Sequence, residues 1–227
     1  MITSHSFQGR PFVVRVDDAT AHDAHATLVD DLYVLAERGV RPIVVAPDSD
    51  AARAIVRAIN RSANVAVSLS GSDAALIPQT PNGIGRVQRH IIDTLTAAGY
   101  IPVVVPTAFA VFSDDDTQVV ADDVAAAIAH ACEAARAIFF HQAGGVPDPQ
   151  TNMVIGELTP AEALGYAEDA RIPEDLRIAI RAAALGVRAG VPAAQIVDGR
   201  VAHAAIIELL TTHHLGTQVT GGLVFAA

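Results

Sequence analysis

Lysine is absent from all 227 residues, and the 15 basic side chains are all arginine. A coding bias toward arginine and alanine accounts for the absence. The chemistry follows whatever the cause: arginine stays protonated and offers a wide planar fork rather than a compact point charge. Cysteine is nearly absent too. Cys132 stands alone in an alanine-rich helical stretch, so no disulfide forms within the chain, which fits a reducing, cytoplasmic setting. No uncharged apolar run reaches the ~18 residues that cross a bilayer. The start, MITSHSFQGRPF, has no basic segment leading into an apolar one, so no secretory leader is expected. No low-complexity, linker-like or repeated segment interrupts the chain, and one domain over residues 1–227 is expected. Basic charge is also in short supply. A formal net charge of -10 argues against a nucleic-acid or anionic-membrane partner.

Apolar residues are plentiful. They make up 51% of the chain against 18% charged, and the mean hydropathy of +0.36 excludes a disordered polymer. Strand-like and helix-like segments alternate from end to end. PFVVRV is a β-branched run, followed by a helix from about His22 to Arg38. PIVVA leads to a helix from about Ala51 to Asn60, with Ile55, Val56 and Ile59 on one face. NVAVSL is a third strand, and NGIGRV has hairpin chemistry that explains Gly83 and Gly85. Ile91, Ile92 and Leu95 then mark a helix ending near Gly99. IPVVVP is a buried strand, after which Val124, Ile128, Ala131 and Ala135 recur at helical spacing. RAIFF and AAQIVDG are two further strands. Continuous apolar strands separated by amphipathic helices imply an α/β fold, a three-layer αβα sandwich around a mostly parallel sheet.

Ligands of such sheets bind at the carboxyl ends of the strands. Three ends stand out: Asp17 and Asp18, the stretch from Pro47 to Asp50, and the stretch from His141 to Gly145. Asp17, Asp18, Asp48 and Asp50 could ligate a hard divalent cation. Equally, Asp18, Thr20, Asp48 and Ser49 stand where helix caps belong. His141 is a ligand, an acid-base group, or a histidine hydrogen-bonded at the edge of the core. His213 and His214 read as surface, and the acidic run Ser113 to Asp116 as a solvated turn.

Several segments, in order, resemble acetylglutamate kinases of the amino-acid kinase family. They are INRSANVAVSLSGSDAALI, AGYIPVVVP with ADDVAAAIA, GELTPAEA, and GVPAAQIVDGRVAHAAIIELLTTHHLGTQV. The resemblance spans most of residues 12–220 and implies the amino-acid kinase fold, phosphorylation of N-acetylglutamate with ATP and magnesium, a place in arginine biosynthesis, and a homodimer. In such enzymes glycine-rich turns present backbone N–H groups to phosphates, and two lysines offset the developing charge.

The parts that would do this are altered here. Where the family has K-x-GG, this chain reads Arg15-Val16-Asp17-Asp18, and where it has an HGGG-type turn, Ala46-Pro47-Asp48-Ser49. Proline lacks an N–H, and aspartate repels phosphate. The loop and helix that carry the substrate-binding arginine are expected to be missing after Asn60-Arg61. Asp122 matches the aspartate that orients the lysines. His141-Gln142-Ala143-Gly144-Gly145-Val146 replaces a nucleotide-contacting TDVPGV turn, and Ala179 replaces the second lysine, with Arg177 two residues away.

Three readings follow. The first is an acetylglutamate kinase-like protein that has lost phosphoryl transfer and serves as a binding, regulatory or structural homologue, holding a nucleotide or small carboxylate at Asp17, Asp18, Asp48, Ser49, His141, Gln142 and Gly145. The second is a divergent kinase using Arg15, Asp122 and Arg177 with ATP and magnesium. The third is a metal-binding protein holding magnesium or another divalent cation on Asp17, Asp18, Asp48 and Asp50.

Overall fold

A computed structural model describes residues 7, 9–23, 25–81, 83–110, 116–211 and 214–221. The expected turn at Ser113 to Asp116 therefore lies outside the described residues except for Asp116, as do His213 and the asparagine of NGIGRV.

The chain begins β1 (Pro11–Arg15), α1 (Asp18–Asp23), α2 (His25–Glu37), β2 (Arg41–Val45), α3 (Ser49–Ser62) and β3 (Ala66–Leu69). It continues through β4 (Gln79–Thr80), β5 (Gly83–Ile84), α4 (His90–Ala97), β6 (Ile101–Val104), β7 (Thr107–Ala108), β8 (Thr117–Gln118) and α5 (Ala121–Ala131). The remainder is β9 (Arg136–Phe140), β10 (Glu157–Leu158), α6 (Pro160–Ala167), α7 (Glu174–Arg188), β11 (Ala193–Val197), α8 (Ala204–Leu210) and β12 (Thr217–Thr220).

Eight strands form one sheet in the order β10-β12-β11-β9-β1-β2-β6-β3. All pairs are parallel except β11 with β12. Alternation along each strand feeds two cores. Val13, Ile43 and Phe139 face one side, where α4, α5 and α7 pack. Val14, Val44 and Ile138 face the other, under α2, α3 and α8. Burial on both faces is why the strands read as continuous apolar runs. β1 and β2 lie at the centre, so the ends of both are held from either side.

The hairpin expected at NGIGRV forms as β4 and β5, with Gly83 at φ 111°, where a side chain would be strained. Other expectations shift. The helix expected from about His22 to Arg38 corresponds to α2, His25–Glu37, and α1 lies before it. α5 ends at Ala131, where Glu133 takes a left-handed φ of 52°, so Ala135 lies beyond the helix and joins the opposite core. Only residues 63–65 link α3 to β3, so no loop or helix projects between them.

Cys132 is buried, and that burial, with the Asp93 carboxylate nearby, pushes its thiol up to about 12; it carries no thiolate near neutral pH. His214 is exposed, as expected, and is also anchored. Its Nδ1 lies 3.0 Å from the fully buried Glu208 carboxylate. Among the described residues no helix is long and apolar enough to cross a membrane.

Candidate functional site

β1, β2 and β9 are adjacent or nearly so and run the same way, so their carboxyl ends open on a common edge. A cavity of about 490 Å3 lies there, its wall completed by the first turns of α5 and α7. The sheet thus brings together Arg15, Asp17, Asp18, Asp48, Asp122 and His141 from distant parts of the sequence.

Each of the two strand-to-helix turns is closed by a carboxylate of the chain itself. Asp17 follows β1, and its Oδ1 accepts the Thr20 N–H at 2.9 Å. Asp48 is the N-cap of α3, and its Oδ1 accepts the Ala51 N–H at 2.8 Å. Both residues line the cavity. Unpaired N–H groups at a helix start are what would otherwise attract an anion. In this chain a tethered anion already satisfies one such group in each turn, and Pro47 removes another donor.

Deeper in, Arg15 at the end of β1 forms a 3.0 Å ion pair with Asp122 in the first turn of α5. Their side chains are 17% and 7% exposed. Burial raises the Asp122 carboxyl above the usual carboxylate range, and the Arg15 guanidinium and His141 offset that only in part. The Arg15 Nε is buried without a hydrogen-bond partner. His141 is hydrogen-bonded on both ring nitrogens. Its Nδ1 accepts the Ala143 N–H at 3.1 Å, which leaves the Nε2 proton facing the Asp175 carboxylate 3.2 Å away. It is 8% exposed, as expected of a histidine fixed at the edge of the core.

The remaining expected residues fare differently. Gln142 lines the cavity, while its backbone carbonyl accepts from Arg200 at 3.1 Å. Ser49, the first residue of α3, is not in the cavity wall. Gly145 does not face the cavity either. With φ 145° it packs against β12, where a Cβ would lie 2.6 Å from Val154 Cγ1 and 2.9 Å from Thr217 Oγ1. Arg177 points elsewhere: Asp175 and Ile178 of α7 line the cavity, and a residue two positions on is turned by about 200° around a helix. Arg177 is instead among the charges acting on Asp169. Neither Arg177 nor Gly145 lies in the wall of this cavity.

The four-aspartate cation site does not assemble. Asp17 and Asp48 are spent as caps, and Asp50 pairs with Arg53 away from the cavity. Among the described residues no group of three or more histidine, cysteine or acidic side chains is gathered as a metal requires. Asp175 is the wall residue that the sequence reading did not single out. Its signal was the helix start Pro173-Glu174-Asp175, but only the fold turns that end of α7 toward the strand ends.

Five aspartates, at 17, 18, 48, 122 and 175, face the cavity against the guanidinium of Arg15, which is already paired. A polyphosphate would meet carboxylates where it needs N–H donors and cations.

The fold and the site at its strand ends define the class. The chain belongs to the amino acid kinase family, whose model matches residues 50–198. Within that family it is close to acetylglutamate kinases. It is 31% identical over 273 aligned positions to "Acetylglutamate kinase" of Trichormus variabilis, covering 95% of this chain and 89% of that protein. It is 31% identical over 205 positions to the Campylobacter curvus protein of the same name, covering 85% and 71%. The first alignment is longer than the chain itself, so that relative has stretches with no counterpart here. Among solved structures, N-acetylglutamate synthase from Neisseria gonorrhoeae, complexed with coenzyme A and N-acetyl-glutamate, superposes with a TM-score of 0.81 at 17% identity. The match covers 96% of this chain and 61% of that one, and it is a likeness of fold.

Proposed function

We propose that the chain is an acetylglutamate kinase-like protein that no longer transfers phosphoryl groups and works as a ligand-binding, regulatory or structural homologue. One observation supports this most: the carboxylates of Asp17 and Asp48 occupy N–H groups at the starts of α1 and α3. Phosphoryl transfer is mostly positioning and charge neutralisation, and both turns now carry the charge of the phosphate they would have to bind. Ala179, at the position that the resemblance assigns to a second lysine, is 2% exposed and carries no charge. Charge stabilisers that act as a unit cost orders of magnitude when lost.

A second reading, a divergent kinase, is favoured by the Arg15–Asp122 pair, which keeps a cation beside an orienting aspartate in the cavity wall. The two readings separate in a hydroxylamine trap for acyl phosphate, with the protein, magnesium ATP and N-acetylglutamate. No hydroxamate above the protein-free blank is expected. Hydroxamate that rises in proportion to protein and vanishes in Asp122→Asn contradicts the first reading and supports the second.

A further inference from the structure

A second cavity, of about 620 Å3, lies between the first turn of α4 and the carboxyl end of α5. Its formal charge is zero, with Arg86 and Arg89 against Asp93 and Glu133, before either histidine takes a proton. The chain carries a net charge of -10, yet this wall holds Arg86, Arg89, His90 and His130. The two carboxylates in the wall, Asp93 and Glu133, are both used by one residue. Arg89 Nε meets Asp93 at 2.9 Å, and Nη1 meets Glu133 at 2.9 Å and the Ala131 carbonyl at 2.7 Å. Arg89 is thereby fixed as a strut between the two helices and offsets one of the two negative charges.

Arg86, His90 and His130 are left facing the space. All three are exposed, and among the described residues none has a side-chain hydrogen bond or ion pair. One permanent cation and two imidazoles line a concave space whose two carboxylates are both engaged by Arg89. That arrangement suits an oxyanion, because charge-assisted hydrogen bonds from guanidinium and imidazole are the strong ones. The volume exceeds that of one small ion and leaves room for an attached organic group.

We propose that this cavity is a binding site for a phosphate-type oxyanion, free or carried as a small monoester, held by Arg86, His90 and His130. It is distinct from the cavity at the strand ends and does not depend on the reading given for that one.

Calorimetric titration of the full chain with inorganic phosphate and, separately, with glycerol 3-phosphate tests the proposal at matched ionic strength. Saturable binding is expected. Arg86→Gln with His130→Asn should weaken it about tenfold or more, the loss of charge-assisted hydrogen bonds, and His90→Gln alone should weaken it less. Arg38→Gln, which removes an exposed arginine at the end of α2, should leave it unchanged. Tighter binding of the ester assigns the site to monoesters, and equal binding assigns it to free phosphate. No saturable binding, an unaffected double variant with a wild-type thermal midpoint, or an equal loss in Arg38→Gln overturns the proposal.

Discussion

Asp122→Ala is expected to lower the unfolding free energy by about 3 kcal/mol, the low end of the range for breaking a buried ion pair. The low end applies because Arg15 is 17% exposed, so water entering the cavity can partly solvate the stranded guanidinium. The Arg15 Nε is already without a hydrogen-bond partner, so removing the carboxylate leaves the fork with its main anchor gone.

The pair is not itself a large source of stability. The folded Asp122 carboxyl sits above its ordinary value of 3.8, with burial the first cause. A raised folded value means the folded protein holds that proton more tightly than the unfolded chain. The group therefore favours folding most at acid pH, and the contribution falls as pH rises from the ordinary value toward the folded one. Above that window the ionised carboxylate is tolerated because Arg15 is beside it. Replacing both partners by apolar groups, Arg15→Met with Asp122→Leu, is accordingly expected to return stability to within about 1 kcal/mol of the parent. Urea unfolding of the two singles and the double measures this coupling directly. A single Asp122→Ala variant as stable as the parent contradicts it.

Gly216→Ala is expected to cost about 3 kcal/mol or to prevent folding, because overpacking against immovable atoms is at the expensive end of core substitutions. A Cβ at Gly216 would lie 2.1 Å from the Ile196 carbonyl oxygen and 2.6 Å from that of Gly144. Both are backbone atoms. One belongs to β11, and the other to the loop after β9 that carries His141 and Gln142 into the cavity wall. The substitution thus strains the sheet and the site together. Gly165→Ala is the counterpart of opposite sign: it lies within α6 with nothing within 4 Å of its Cβ position, so alanine there should add up to about 1 kcal/mol through helix propensity. Thermal midpoints moving in opposite directions for the two variants bear out the contact geometry, and a Gly216→Ala protein that melts with the parent refutes it.

Much of this architecture was legible in the sequence because burial on both faces writes a strand as an unbroken apolar run. PFVVR, IPVV and RAIFF are each buried that way and each form as expected. β12 was not legible. Its TQVT alternates, and it pairs antiparallel with β11, while two-residue β10 is too short to carry any pattern. Ala135 kept helical spacing past the true end of α5 because alanine is as much at home in a buried turn as in a helix.

At the site, Asp48 was legible as a cap, because a cap is local: it binds an N–H group three residues ahead. After β1 the carboxylate that does this is Asp17 rather than the expected Asp18. The role of Asp175 was not, since its partner His141 is 34 residues away in sequence. Arg177 was close in sequence to the right place and on the wrong face. Helical phase, which a gapless register does not weigh, decided between them.

The central claim is that the strand-end cavity has traded its phosphate cradle for carboxylates, and equilibrium binding of nucleotide tests it without requiring turnover. Calorimetric titration of magnesium ATP into the full chain should show no saturable heat up to about 1 mM nucleotide, an affinity worth no more than about 4 kcal/mol. Saturable micromolar binding of magnesium ATP that is unchanged in Arg86→Gln with His130→Asn, and so is located at the strand ends, would contradict it.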